Sequence, residues 1–212
     1  MEKEVVTGIV QRVMGKNVSV NLGKADGILS ENEQVKGEEF EPTERIKVYI
    51  LEVKDTPKGP RILLSRTHPG LVKRLFESEV AEVKDGTVEI KSIAREAGSR
   101  TKIAVWSNDP DVDPVGACVG MNGARVNSIV EELRGEKIDI INWDENPAIL
   151  IENALSPAKV IAVMADPDEK TALVVVPDYQ LSLAIGKEGQ NARLAARLTG
   201  FKIDIKSETQ AR

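Results

Sequence analysis

Aromatic side chains, histidine and cysteine are scarce in this sequence. Phe, Trp and Tyr make up 3% of the 212 residues, so a site built from stacked aromatic rings is poorly supplied. The only cysteine, Cys118, cannot form a disulfide within the chain; we interpret it as an apolar filler, and it favours a reducing compartment. The only histidine, His68, precedes Pro69-Gly70 and is interpreted as part of a linker, not as a catalytic base or a metal ligand.

Long apolar segments are also missing. No run reaches the roughly 18 apolar residues of a membrane-spanning helix, and the first residues, Met1-Glu2-Lys3-Glu4, lack the apolar core of a signal peptide. We therefore expect a soluble, cytoplasmic protein without membrane contact. With 41% hydrophobic and 30% charged residues, the chain can form about one to three compact units.

The sequence has no excess of positive charge. The formal net charge is -5; basic and acidic residues balance in residues 1–67 and 146–212, whereas acidic residues are in excess in 68–145. Binding of a polyanion would therefore depend on individually placed contacts and not on a broad positive field. Such binding has a shallow salt dependence.

One acidic loop, Asp109 to Asp113, invites a calcium interpretation that its spacing excludes. An EF-hand loop starting at Asp109 would place Pro114 where glycine is needed and Gly120 where the final carboxylate is needed. We predict instead that Asp113 caps a helix begun by Pro114. The sequence predicts no metal site, no cofactor and no catalytic residues.

The most informative feature present is a repeat. Gly120-Met121-Asn122-Gly123 and Gly186-Lys187-Glu188-Gly189 each follow a short apolar run and open a helical pattern. Each then leads to the same tetrapeptide, Lys-Ile-Asp-Ile, at 137–140 and 202–205. A Gly-x-x-Gly turn beside a helix N-terminus lets a phosphate approach main-chain N–H groups closely. The repeat therefore predicts two nucleic-acid contact sites.

Side chains in and near the two turns complete the predicted site. Lys187 offers a charge to phosphate, Met121 and Asn122 offer none, and Glu188 would repel phosphate unless it points toward a base edge or solvent. Gln190 and Asn191 either bind bases or only start a helix, and Arg100 and Lys102 are either contacts or a solvated hairpin tip. The predicted contacts are Gly120, Met121, Asn122, Gly123, Arg125, Arg100, Lys102, Gly186, Lys187, Glu188, Gly189, Gln190, Asn191 and Arg193.

Alternation of apolar and polar residues predicts a small β-barrel in residues 5–66. Turn signals at Met14–Asn17 and Pro57–Pro60 separate the segments and favour an OB-like fold. After His68 the pattern becomes helical up to Asp85-Gly86, which places a domain boundary near residue 67. The predicted strands are Val5–Val10, Asn17–Leu22, Gly27–Leu29, Arg45–Leu51 and Arg61–Ser65.

The remainder of the chain reads as two copies of one unit with the order helix, two strands, two helices, strand. In the first copy the strands are Val88–Ile93 and Lys102–Trp106. In the second copy they are Val160–Met164 and Ala172–Val176, preceded by a helix over Pro147–Leu155.

This order with a Gly-x-x-Gly loop resembles the type II KH domain, and the barrel resembles an S1 domain. The S1 resemblance rests on Thr7–Val10, Val18–Leu22, Asp26–Ser30 and Ile62–Arg66. One S1 unit followed by two KH units resembles the NusA family of bacterial transcription termination and antitermination factors. The segments Val88–Val105 and Leu183–Lys187 are very similar to that family.

The resemblance implies an α+β multidomain chain: an S1 barrel with an OB-fold in 1–67 and type II KH domains in 68–145 and 146–212. It implies a non-enzymatic, monomeric protein that grips single-stranded nascent RNA and modulates pausing, termination and antitermination. RNA polymerase and other transcription factors are the implied partners. The family's N-terminal polymerase-binding domain has no counterpart here, so we expect a fragment.

Two other interpretations remain open at the level of sequence. Polynucleotide phosphorylase also combines KH and S1 units, although there one KH unit precedes S1 and a nuclease-like domain accompanies them. Alternatively, the KH folds have lost the ability to bind RNA and serve as a scaffold for protein partners. The acidic balance of the chain and Glu188 favour this interpretation. Failure to bind any single-stranded RNA would support the scaffold.

Overall fold

The computed structural model describes residues 2–212. The first unit is a closed barrel with strand order β1-β2-β3-β5-β4, and its interior is lined by aliphatic residues such as Val20, Val48 and Leu64. The predicted OB-type barrel is therefore confirmed. Its strands are β1 (Val5–Met14), β2 (Asn17–Asn21), β3 (Asp26–Leu29), β4 (Arg45–Thr56) and β5 (Gly59–Ser65).

The second unit, called here the first KH unit, packs helices on one face of a three-stranded sheet with order β6-β7-β8. Strands β6 and β7 are antiparallel, and β7 and β8 are parallel. The predicted helical stripe is divided at Val80, whose backbone is extended. The elements are α1 (Pro69–Glu79), α2 (Ala81–Lys84), β6 (Val88–Glu96), β7 (Arg100–Ser107), α3 (Pro114–Val119), α4 (Ala124–Glu132) and β8 (Lys137–Asn142).

The second KH unit repeats this arrangement with sheet order β11-β10-β9 and parallel pairing of β10 with β11. A short 3-10 turn over Asp178–Gln180 precedes α6. The elements are α5 (Pro147–Ala154), β9 (Ala162–Asp166), β10 (Thr171–Val176), α6 (Leu181–Ile185), α7 (Gln190–Thr199), β11 (Lys202–Ser207) and α8 (Glu208–Ala211). The α-β-β-α-α-β order is confirmed in both units.

One local prediction needs correction, and one helix was missed. Asp113 occupies the N-cap position of α3, but its side chain makes no capping hydrogen bond, because its carboxylate lies against Gly116 instead. Helix α8 was not predicted, although Ser207 and Gln210 form a capping box, a signature that is readable from sequence.

The two KH units share one hydrophobic core. Ala94, Ala104 and Ile141, on the sheet face of the first unit that points away from its own helices, pack in the same buried cluster as Ile151 and Leu194 of the second unit. Close packing of this kind resists relative movement. The distance and orientation between the two Gly-x-x-Gly loops are therefore fixed by the fold.

The barrel is joined to the first KH unit by a buried arginine. Arg66, immediately after β5, is 1% exposed and donates to both carboxylate oxygens of Glu38, at 2.8 Å each. It also donates to the carbonyls of Lys47, at 2.7 Å, and Glu132, at 3.1 Å. His68 caps α1 by accepting from the Gly70 N–H and stacks on Tyr49 of the barrel with ring centroids 4.4 Å apart.

None of the helices in residues 2–212 combines the length and apolar character that a bilayer span requires.

Candidate nucleic-acid interface

The two Gly-x-x-Gly loops have the same backbone conformation. Gly120 has φ 79° and ψ 172°, and Gly186 has φ 81° and ψ 170°. The third residue of each loop is left-handed, with φ 55° at Asn122 and 56° at Glu188, and the second glycine follows at φ 75° or 76°. The sequence repeat is therefore a repeat of three-dimensional structure.

The two glycines of each loop are needed for different reasons. A Cβ on Gly120 would lie 2.9 Å from the Arg125 main-chain nitrogen, and one on Gly186 would lie 2.7 Å from that of Asn191. These contacts involve backbone atoms, so the first glycine is required for packing. By contrast, a Cβ on Gly189 would meet nothing closer than 3.8 Å, at the Arg193 guanidinium. At Gly123 a Cβ would lie 3.0 Å from the Asn127 side-chain amide, the far end of a flexible side chain, so neither second glycine is enclosed by backbone.

Main-chain donors between the glycines are not consumed in closing the turns. Gly123 donates to the Gly120 carbonyl and Gly189 to the Gly186 carbonyl, both at 3.1 Å. These closing bonds leave out the N–H groups of the two middle residues, and the side chain of Met121 is 84% exposed. The loops precede α4 and α7, whose N-terminal dipole ends favour an anion.

Two arginines beside the loops are engaged with carboxylates. Arg125 donates to Glu82 at 2.9 Å and to the Ala117 carbonyl at 2.8 Å. Its hydrogen bond lowers the pKa of the Glu82 carboxyl below the usual range. Both side chains remain about one-third exposed, so Arg125 borders the loop of the first KH unit as a paired cation.

Arg193 is held in the same manner at the second loop. It donates to Glu96 of the first KH unit, at 2.8 Å from Nη2, and to the Glu188 carbonyl within the loop at 3.0 Å. The hydrogen bond from Arg193 lowers the pKa of Glu96. Arg193 therefore connects the second loop to the neighbouring unit.

Lys102 and Asn191 have structural positions, and their predicted role as RNA contacts is revised. Lys102 is fully buried and donates to Asp139 at 2.9 Å and to the Ser156 carbonyl at 2.7 Å. The Asn191 side chain is buried and donates to the carbonyls of Leu155 and Ala184, at 3.0 and 2.9 Å. Lys102 has no exposed surface and Asn191 is 4% exposed, and the side-chain nitrogens of both are committed to these carbonyl and carboxylate partners. Lys102 links the first KH unit to the second, and Asn191 connects α7 to other parts of the second unit.

Arg100 lies with the loop of the second KH unit, although it belongs to the first. Its guanidinium donates to Asp139 at 2.8 and 3.0 Å and remains one-quarter exposed. A cleft of about 350 Å³ lies between the units at this point. It is lined by Ser99, Arg100, Lys137, Pro157, Ser182, Leu183, Gly186, Lys187, Gln190 and Asn191.

The cleft brings together residues that are distant in sequence. Lys187 and Gln190, which were predicted as contacts, line the cleft together with Lys137 and Ser99, which were not predicted. Gln190 donates to the Ser99 hydroxyl at 2.7 Å. Lys137 begins the first Lys-Ile-Asp-Ile repeat, so the repeat itself was a signal that could have identified it. The cleft connects the edge strand β8 of the first unit with the loop of the second.

The loop of the first KH unit stands apart from this cluster. Gly120, Met121, Asn122 and Gly123 lie between α3 and α4, and α3 packs on β7 and β8. The predicted residues therefore form two separate groups, one at each loop.

Family models match the chain in three consecutive segments. Residues 1–65 match the S1 RNA binding domain, residues 66–143 the NusA-like first KH domain, and residues 147–212 the NusA-like second KH domain. The matches follow the structural units in the same order.

Curated relatives agree with these matches. The transcription termination/antitermination protein NusA of Bacillus subtilis is 63% identical over 211 residues, covering 100% of this chain and 57% of the relative. The corresponding protein of Halalkalibacterium halodurans is 60% identical, covering 99% of this chain and 55% of the relative. That of Mycobacterium tuberculosis H37Rv is 51% identical, covering 98% and 62%.

The chain thus spans between 55% and 62% of the length of these relatives. Its S1 barrel, its two KH units and its level of identity place it in one family: the chain belongs to the NusA family and corresponds to the S1-KH-KH region.

Proposed function

We propose that this chain binds one strand of single-stranded RNA across both KH units and thereby acts in transcription termination and antitermination. The observation that carries the proposal is the pair of Gly-x-x-Gly loops with the same backbone angles, held in one rigid body by a shared core. A KH loop clamps about four nucleotides of backbone. Two fixed loops therefore suit one extended strand.

Phosphates would approach the open side of each loop, where the second glycine presents no side chain. Lys187, Arg100 and Lys137 surround the cleft between the units and supply placed positive charges along the strand. The edge strands β8 and β11 run beside the loop helices and would face the bases. Glu188, in the left-handed position, contributes its backbone and not its charge.

In this proposal the chain acts by binding alone, as a monomer in the cytoplasm, with RNA polymerase and other transcription factors as partners. The names of the relatives, transcription termination/antitermination protein, support the process. The order of the matched domains favours it over the exonuclease appendage, in which KH precedes S1.

Loop variants test the RNA proposal. Met121→Asp with Asn122→Asp alters the first loop, and Lys187→Asp alters the second; Asp tolerates the left-handed backbone at position 122. We expect each set to weaken binding of a single-stranded RNA of about ten nucleotides by about tenfold or more. The introduced carboxylates would repel the phosphates at the place where these approach the loop. Fluorescence anisotropy measures the affinity.

Lys73→Asp is the matched control, since Lys73 is exposed on α1 and lies outside the loops and the cleft. It should leave affinity within about twofold, as expected for a screened charge. Unchanged affinity in folded loop variants would contradict the proposal and favour the protein-scaffold interpretation.

A further inference from the structure

A carboxylate of the first KH unit gathers donors from the helix that follows the second loop. Glu96, the last residue of β6, accepts from Arg193 through both carboxylate oxygens and from the Gln190 amide at 3.2 Å. Arg197 lies 3.6 Å away. All of these donors belong to α7, so one side chain of the first unit holds the N-terminal half of that helix.

The contact continues into the loop itself. Arg193 uses its remaining terminal nitrogen, Nη1, to donate to the carbonyl of Glu188 at 3.0 Å. Glu188 is the left-handed residue of the loop, and its carbonyl orientation fixes the peptide plane that carries the Gly189 N–H. A continuous path therefore runs from Glu96 through Arg193 to the loop backbone.

The first loop is built differently. The position equivalent to Arg193, four residues after the second glycine, is Asn127, and Arg125 is tied within its own unit to Glu82 and Ala117. The first loop is therefore set by its own unit, whereas the second loop depends on a residue of its neighbour.

The negative charge of Glu96 would by itself disfavour RNA binding near the inter-unit cleft. Gln190 lines the inter-unit cleft and touches Glu96, so a negative charge lies beside the path assigned above to phosphates. Coulomb repulsion alone would oppose RNA binding here. A role in ordering Arg193 and the loop offsets that cost.

We propose that Glu96 is a positioning residue for the nucleotide loop of the second KH unit, acting through Arg193 on the Glu188 carbonyl without touching RNA. This inference rests on the proposed RNA binding at the loops. It predicts that removal of a negative charge from an acidic protein weakens its grip on a polyanion. Simple electrostatics predicts the opposite sign.

The test combines Glu96→Gln with each loop variant in the full chain. With the first loop disabled by Met121→Asp and Asn122→Asp, binding depends on the second loop, and Glu96→Gln should weaken it about five- to tenfold, a typical coupling between sites. With the second loop disabled by Lys187→Asp, the same substitution should change affinity by less than about twofold, because no coupled loop remains. General destabilisation would affect both backgrounds.

Glu89→Gln is the matched control. Glu89 lies on the same strand, has a side chain that is 44% exposed, and pairs with Lys91 and Asn108. Glu89→Gln changes the net charge by the same amount as Glu96→Gln. It should leave affinity unchanged or slightly increased. Without RNA, amide NMR shifts of Glu188 and Gly189 should move in Glu96→Gln and not in Glu89→Gln.

Equal or tighter binding by Glu96→Gln in the first-loop background would overturn the inference. Loss of affinity with unmoved Glu188 and Gly189 amides would also overturn it, since Glu96 would then act through unit orientation alone. If Lys187→Asp by itself left RNA affinity unchanged, the RNA proposal would fail instead, and the amide shifts would still decide whether Glu96 positions the loop.

Discussion

At the scale of single residues, the two glycines of each loop separate folding from binding. Gly186→Ala brings a Cβ to within 2.7 Å of a main-chain nitrogen at a positive φ, whereas Gly189→Ala meets only the left-handed penalty. We expect a loss of about 2–4 kcal/mol for the first and about 1 kcal/mol for the second. Urea unfolding of both variants measures the difference; equal losses would contradict the assignment of the first glycine to packing.

The second glycine then gives a clean probe of binding. Gly123→Asp with Gly189→Asp should fold, because aspartate accepts the left-handed backbone better than most residues, and should bind RNA much more weakly. A folded double mutant with full RNA affinity would show that the loops are not the binding sites.

Lys102 illustrates what one buried residue contributes at the junction. Lys102→Met leaves the Ser156 carbonyl without its donor, while Asp139 keeps Arg100. We expect the free energy of unfolding to fall by about 3 kcal/mol, at the lower end of the roughly 3–5 kcal/mol for removing one partner of a buried ion pair, because Arg100 still pairs with Asp139. Lys73→Met on the surface is the control for denaturant unfolding, and an equal, small effect of both would argue against a structural role for Lys102.

The role of a residue was predictable from sequence when its partners are close in sequence, and not when they are distant. The glycine turns are recognisable from adjacent residues, so their backbone was correctly anticipated. The roles of Lys102, Asn191 and Glu96 depend on partners more than 30 residues away. In the sequence each resembles an ordinary polar surface residue, and nothing local indicates burial.

At the scale of elements, the linker after β5 carries the connection between the barrel and the first KH unit. Arg66→Met removes the partner of Glu38, which is 6% exposed, and also the donors to Lys47 and Glu132. We expect a loss of about 3–5 kcal/mol and faster proteolysis within the linker. Arg61→Met, an exposed change on β5, should have little effect; similar cleavage rates for both would contradict this role for Arg66.

Strands were better predicted than helix ends. Alternation in the barrel identified all five strands, because one face of each strand is buried and the other is wet. The break at Val80 coincides with complete burial of its side chain, and the missing side-chain cap at Asp113 with a carboxylate turned toward Gly116 one turn on. Helical periodicity alone does not encode either feature.

At the scale of the whole molecule, the net charge of -5 limits how RNA can be held. With placed contacts from a few cations such as Arg100, Lys137 and Lys187, we expect a log–log slope of affinity against salt of about -2, from roughly 0.7 per neutralised phosphate of a single strand. Anisotropy titrations at several salt concentrations measure this slope. A slope steeper than about -5 would indicate a broad electrostatic surface instead.

The relative placement of the units was beyond prediction from sequence. The order S1, KH, KH follows from motifs, but the shared core of Ala94, Ala104 and Ile151 joins ordinary apolar residues whose sequence positions do not indicate which unit they pack against. The inter-unit cleft, and with it the association of Arg100 with the second loop, is a property of that packing.

The most direct test of the central claim is a structure of this chain bound to a single-stranded RNA of about ten nucleotides, long enough for two KH clamps. The account predicts phosphates against both Gly-x-x-Gly loops, with the strand crossing the cleft beside Arg100, Lys137 and Lys187. RNA bound elsewhere, with both loops empty, would contradict it.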